Sequence, residues 1–112
     1  MSFLSKLFGS RSVDVAGARR LLADGAILVD VRSAREFKDG HAPAARNLPL
    51  DTLDRRTGTL STSTPIVAIC HTGVRSSQAA RLLAAKGFQV SSVRGGMIAW
   101  KRAGERVVGG SR

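Results

Sequence analysis

The chain has 112 residues, of which 43% are apolar, and a formal net charge of +10 from 18 Lys and Arg against 8 Asp and Glu. That length suffices for one domain with one core and is too short for two. The single cysteine cannot close an internal disulfide, so nothing in the fold needs an oxidising compartment, and a cytoplasmic setting is expected. The positive charge invites a nucleic-acid reading, but the basic residues are dispersed, with Arg19-Arg20, Arg55-Arg56 and Lys101-Arg102 the densest points. Four Phe, one Trp and no Tyr offer little surface for base stacking. The chain is therefore read as having no nucleic-acid partner, and its field as one that draws small anions.

In chain order, Met1 to Ser10 places Phe3, Leu4, Leu7 and Phe8 on one helical face. Residues 1–12 are expected to form a short amphipathic segment, with Gly9 to Ser12 as its joint. It is too short and too interrupted for a signal peptide or membrane span, and suits packing on its own domain or a weak contact with a partner or membrane surface. The domain proper is expected over 13–106. Asp14 reads as the N-cap of a helix from Ala16 to Ala23 that Gly25 ends. Ile27 to Val31 is a short buried strand whose Asp30 is costly there unless paired or at the strand's exit. Ala34 to Lys38 suits a short helix broken by Asp39-Gly40, and Arg46 to Leu50 an edge strand, which tolerates Pro49. Asp51 is placed to cap a brief turn, and Thr57 to Thr64 is a polar linker.

Pro65 to Leu83 carries the chemistry. Ile66 to Ile69 is a continuous, β-branched-rich apolar run too short for a helix, the pattern of a strand buried on both faces. It stops at Cys70, passes through a loop containing Gly73, and enters a helix at Ser76-Ser77-Gln78, with Ala79, Ala80, Leu82 and Leu83 at helical spacing. A tight strand-to-helix loop turns N–H groups inward, and the first helical turn adds unpaired donors and partial positive charge. A thiolate at Cys70 would be stabilised by those donors and by Arg75. The bland alternative is a small buried hydrophobe ending a strand, but such a cysteine needs neither Gly73 nor Arg75. Beyond the helix, Gly87 is its stop, Gln89 to Val93 the last strand, and Gly95-Gly96 a turn into Met97 to Arg102, with Trp100 in the core. Val107 to Arg112 reads as a tail. Strands alternating with helical segments indicate an α/β sandwich with a mainly parallel sheet.

These residues resemble the rhodanese-like sulfurtransferases in their single-domain form. The match is Cys70-His71-Thr72-Gly73-Val74-Arg75-Ser76, preceded by Asp30-Val31-Arg32, Glu36-Phe37, Gly40-His41 with Pro43, and Asn47 with Pro49, and followed by Gly95-Gly96 with Trp100. The motifs run in family order from about Val13 to Gly104. The family usually has glycine where Ala44 stands, a departure that bears on that turn. The resemblance implies a three-layer sandwich around a central, mainly parallel sheet of about five strands, with chain order reversing beside the Cys70 strand. It implies that Cys70 is catalytic and that His71, Thr72, Gly73, Val74 and Arg75 surround the substrate sulfur, with Arg75 either holding the donor's oxygens or bracing the loop. Asp30, Arg32 and Ser76 would support the site, and His41 would be structural, bonding nearby backbone.

The implied reaction moves sulfane sulfur from a small anionic donor such as thiosulfate, through a Cys70 persulfide, to a thiol, a protein or cyanide, with no cofactor and no metal. Two other readings compete. Phosphatases and arsenate reductases of related fold also pair Cys with Arg, but their loops carry one more residue between the two, and the shorter loop here crowds a tetrahedral oxyanion. A non-catalytic binding module has no need to keep Cys70 together with Arg75.

Overall fold

The computed structural model describes residues 10–110. They form five strands: β1 (Ser10–Val13), β2 (Ile27–Asp30), β3 (Arg46–Asn47), β4 (Ile66–Ile69) and β5 (Val90–Val93). The helices are α1 (Val15–Ala23), α2 (Ala34–Asp39), α3 (Leu50–Leu53), α4 (Val74–Ala85) and α5 (Gly96–Arg102), with a 3-10 turn at Thr57–Thr59. All strand pairings are parallel, in the order β1-β5-β4-β2-β3. β4 is the central strand and is buried throughout, as its unbroken apolar run requires. Because side chains alternate across a strand, Ile66, Ala68 and Cys70 face α4 while Val67 and Ile69 face α1 and α5. Leu83, Ala79 and Leu53 complete the first layer of core, and Ala18, Phe37, Met97 and Trp100 the second.

Polar residues set the ends of the helices. Asp14 caps α1 by accepting from the Gly17 amide at 2.8 Å. Ser33 and Glu36 form a reciprocal capping box on α2, each side chain accepting from the other's backbone amide. The edge strand is shorter than the expected Arg46 to Leu50, because Pro49 lacks an amide to continue the ladder and instead precedes α3, which starts at Leu50.

The sheet also extends further toward the N-terminus than the sequence suggests. Ser10 to Val13 pair with Val90 to Val93, so part of the expected joint is a strand, and Ser10 to Ser12 are exposed there. A polar edge strand has no apolar alternation by which to be recognised. Residues 1–9 of the amphipathic segment expected over 1–12, including Phe3, Leu4, Leu7 and Phe8, lie outside the described residues. At the other end, Val108 exchanges backbone hydrogen bonds with His41 at 2.8 and 2.9 Å, and Trp100 donates its indole N–H to the Arg106 carbonyl. The first part of the expected tail is thus tied to the domain.

Ala44 has φ +67°, the one non-glycine in the left-handed region among the described residues. A Cβ there costs roughly 1–2 kcal/mol, partly offset because alanine has less unfolded-state freedom to lose than glycine. Ala44→Gly should therefore stabilise the fold by about 0.5–1 kcal/mol, read as a midpoint rise of about 2–4 °C in thermal unfolding. A lower midpoint would show that this turn carries no strain.

Candidate active site

The topology fixes where a site can form. From β2 the chain moves outward to β3, then returns past β2 to β4 and continues to β5. The connections thus leave β2 and β4 toward opposite sides, and their carboxyl ends open a crevice of the kind in which open α/β sheets bind ligands. Asp30 and Ile69 are register partners at that end, and Cys70 is the next residue along β4.

Cys70 is 1% exposed, and its sulfur is ringed by donors. The Gly73 amide donates to Sγ at 3.0 Å, and the Ser76 hydroxyl lies 3.5 Å away. Burial pushes the thiol pKa up, but the Ser76 hydroxyl and the amides of Ser76, Gly73 and Thr72 together outweigh it, so the thiol is more acidic than an ordinary cysteine. Ser76 Oγ is also 2.7 Å from Ser92 Oγ and 3.2 Å from the Gly73 carbonyl. A hydroxyl has one proton and two lone pairs. With a neutral thiol, the S–H can donate to Ser76. With a thiolate, the Ser76 proton turns to sulfur while the Ser92 hydroxyl donates to Ser76. The pair of serines can therefore serve both protonation states without leaving a buried polar group unpaired.

The loop owes its curvature to glycine at three points. Gly73 has φ +110° and opens α4. Gly95 and Gly96, at φ +77° and +53°, bring the start of α5 against the loop, where Met97 and Ile98 donate their amides to the Cys70 and His71 carbonyls at 2.8 and 3.3 Å. A Cβ on Gly96 would collide with the Cys70 carbonyl and stand 2.6 Å from the His71 carbonyl. Gly96 is thus a tolerance the cysteine loop depends on.

Ion pairs hold the loop's other side. Arg75 makes a bidentate bridge to Glu36 in α2, at 2.6 and 2.9 Å. The paired guanidinium, more than the opposing effect of partial burial, holds the Glu36 carboxyl at about 2. Arg75 is in turn raised first by Glu36 and only to a smaller degree by Cys70. At the base of the crevice, buried Asp30 accepts from Arg32 Nε at 3.0 Å and Nη2 at 2.7 Å, and from the Arg32 amide. Arg32 also donates to the Gly40 carbonyl, and Asn47 to the carbonyls of Asp30 and Arg32. Removing one member of such a buried pair leaves a stranded charge, at a cost of about 3–5 kcal/mol.

Among the sequence-predicted residues, the structure therefore gathers Cys70, Thr72, Gly73 and Ser76 around the sulfur. His71 and Val74 are exposed on the loop's outer side, and Arg75 is engaged by Glu36. Asp30 and Arg32 lie in the adjoining network. His41 is buried, with Nδ1 2.7 Å from the Phe37 carbonyl and its ring stacked on Phe37 at 3.6 Å. Sequence reasoning missed Ser92. Its signal was two consecutive serines, Ser91 and Ser92, inside an otherwise apolar strand, where a buried hydroxyl requires a partner.

A five-stranded parallel sheet that presents a hydrogen-bonded cysteine loop at its switch point defines an open α/β protein with a crevice beside that cysteine. The Rhodanese-like domain model matches residues 14–103, and the chain belongs to that family. It is 34% identical over 99 residues to a protein of Allochromatium vinosum named sulfurtransferase, covering 86% of this chain and 92% of that one. It is 36% identical over 77 residues to the thiosulfate sulfurtransferase GlpE of Shewanella oneidensis, covering 68% and 76%. A 38% match to the uncharacterised YqhL of Bacillus subtilis spans 59% of that protein's length. Among solved structures, a rhodanese-related protein of Thermoplasma volcanium superposes with a TM-score of 0.81 at 28% identity, over 88% of this chain and 97% of that one. Among the described residues no helix is long and apolar enough to cross a membrane.

Two outcomes follow for the loop's supports. Gly96→Ala should destabilise the protein by about 2–4 kcal/mol, combining overpacking with backbone strain at positive φ, and should slow alkylation of Cys70. Denaturant midpoints equal to the parent's would contradict that packing. The Glu36 pKa is depressed, so its pairing with Arg75 contributes stability that is full above the ordinary value of 4.5 and is lost as pH falls toward about 2. The stability gap between the parent and Glu36→Gln should thus shrink across that range in urea titrations. It should also narrow in high salt, since both side chains are 36% exposed. A gap independent of pH would assign the bridge no role.

Proposed function

We propose that this chain is a sulfurtransferase that carries sulfane sulfur on Cys70, taking it from a small anionic donor such as thiosulfate and passing it to a thiol, a protein or cyanide. The observation that carries this reading is the 3.0 Å hydrogen bond from the Gly73 amide to a buried sulfur whose acidity is raised. An inert core cysteine needs no such donor. The names of the Allochromatium and Shewanella relatives support the same class.

In the first step the Cys70 thiolate attacks the outer sulfur of the donor. The new S–S bond forms as the donor's own S–S bond breaks, and sulfite leaves with that bond's electron pair. A persulfide anion remains on Cys70. Amides of the loop from His71 to Arg75 are suited to stabilise it, because those in the first turn of α4 have no acceptor within the helix. An acceptor then removes the sulfur and restores the thiolate, a double displacement with ping-pong kinetics. The ion pair with Glu36 favours the bracing role for Arg75 over direct contact with the donor. A guanidinium committed to a carboxylate has little charge left to offer.

Incubation with thiosulfate should raise the mass of the chain by about 32 Da, one sulfur atom, and Cys70→Ser should abolish both the adduct and turnover. Hydrolysis of p-nitrophenyl phosphate without an adduct would favour the phosphatase reading. Neither activity in the folded protein would favour a binding module.

A further inference from the structure

With Arg75 held by Glu36, recognition of an anionic substrate must draw on other cations. A cleft of about 370 Å³ lies against the cysteine loop, walled by Thr72, Gly73 and Val74 on one side and by Ser77, Arg81 and Arg94 on others. That volume is in the range of small-molecule sites. Ser77 and Arg81 are four residues apart on α4 and so share one face of the helix. Arg94 is fixed at the end of β5, where its amide donates to the Val13 carbonyl at 2.8 Å and Nη1 donates to the Ser12 carbonyl at 3.1 Å. Arg81 has no hydrogen-bond or ion-pair partner among the described residues, and no carboxylate lines the cleft. Two arginines therefore face a recess with no anion to balance them, and the same Gly73 that bonds the sulfur forms part of its wall.

We propose that this cleft holds the carboxylate end of a low-molecular-weight thiol that accepts the sulfur, with Arg81 and Arg94 as its binding residues. The inference rests on the sulfurtransferase reading and names its acceptor class. The cleft includes Gly73, whose amide bonds the sulfur, but not Cys70 itself, so the acceptor's carboxylate and its thiol must stand apart along the molecule, as they do in a peptide-sized thiol. In the transfer, the acceptor's thiol proton passes to the outer sulfur of the persulfide and the acceptor's sulfur bonds to that same atom. The bond to Cys70 breaks with its electron pair returning to Cys70 as a thiolate. The product leaves as a hydropersulfide, and no oxidant or reductant is consumed.

The test separates the two half-reactions. The chain is first loaded to completion with thiosulfate and freed of donor, and loss of the 32 Da adduct is then timed with glutathione and with its diethyl ester, which lacks the carboxylates. The unaltered chain should discharge at least about fivefold faster with glutathione, at concentrations below saturation, and Arg81→Gln/Arg94→Gln should bring that ratio close to one, the size expected for charge-assisted contacts at a solvent-facing site. The preference should fade in the unaltered chain as salt is raised. An equal ratio in the two proteins would overturn the assignment of the cleft while leaving the persulfide intact. Failure of the unaltered chain to gain sulfur at all would instead remove the underlying reading.

Discussion

A sulfur anion buried at the end of a central strand is stable only if donors replace the water it has lost, and the rest of this structure can be understood as the means of keeping those donors aimed. The Gly73 amide, 3.0 Å from Sγ, can point inward only because Gly73 adopts a left-handed backbone as it opens α4. Ser76, in the first turn of that helix, reaches the same sulfur and is itself oriented by Ser92 from β5. Three elements, β4, α4 and β5, therefore meet at the Ser76 hydroxyl. Desolvation alone would have made the thiol a weaker acid, and hydrogen bonding reverses the sign.

Around that centre, each flank of the loop is fastened by a different kind of interaction. On the α5 side the contact is backbone to backbone, through the Met97 and Ile98 amides, and depends on the missing side chain at Gly96. On the α2 side it is the Arg75–Glu36 bridge, partly open to water and so of modest energetic weight. Glu36 also closes the capping box at the start of α2, so one carboxylate fixes both the helix end and the loop. Beneath them, Asp30 and Arg32 are buried and fully bonded. Such a pair adds little net stability over apolar packing but penalises any arrangement that separates its members, and here it fixes the ends of β2 and β3 relative to the crevice.

Much of this was legible in the sequence because the strongest patterns were local. The run from Ile66 to Ile69 could be only a short buried strand, and a cysteine between it and a glycine-containing loop leading into a helix marked the site. Asp30 announced itself as an acid in an apolar segment, and its partner proved to be Arg32, two residues away. What the sequence concealed was whatever depends on distant residues meeting. The role of Arg75 turns on Glu36, a residue in another layer. The role of Ser92 turns on its register beside β4, and β1 is recognisable only by its pairing with β5, since its own residues are polar and exposed. Ala44 is an intermediate case: the departure from glycine was visible, and the structure adds that the alanine occupies the left-handed conformation.

The central claim is that the loop's donors make the Cys70 thiol more acidic than an ordinary cysteine, and the most direct measurement is the pH dependence of the rate at which a small alkylating reagent modifies that single thiol. The account predicts an apparent pKa below that of an unperturbed cysteine measured with the same reagent, and an upward shift in Ser76→Ala, where the hydroxyl donor to the sulfur is absent. An apparent pKa at or above the ordinary value, unchanged by loss of Ser76, would show that burial prevails over the surrounding donors and would contradict the account.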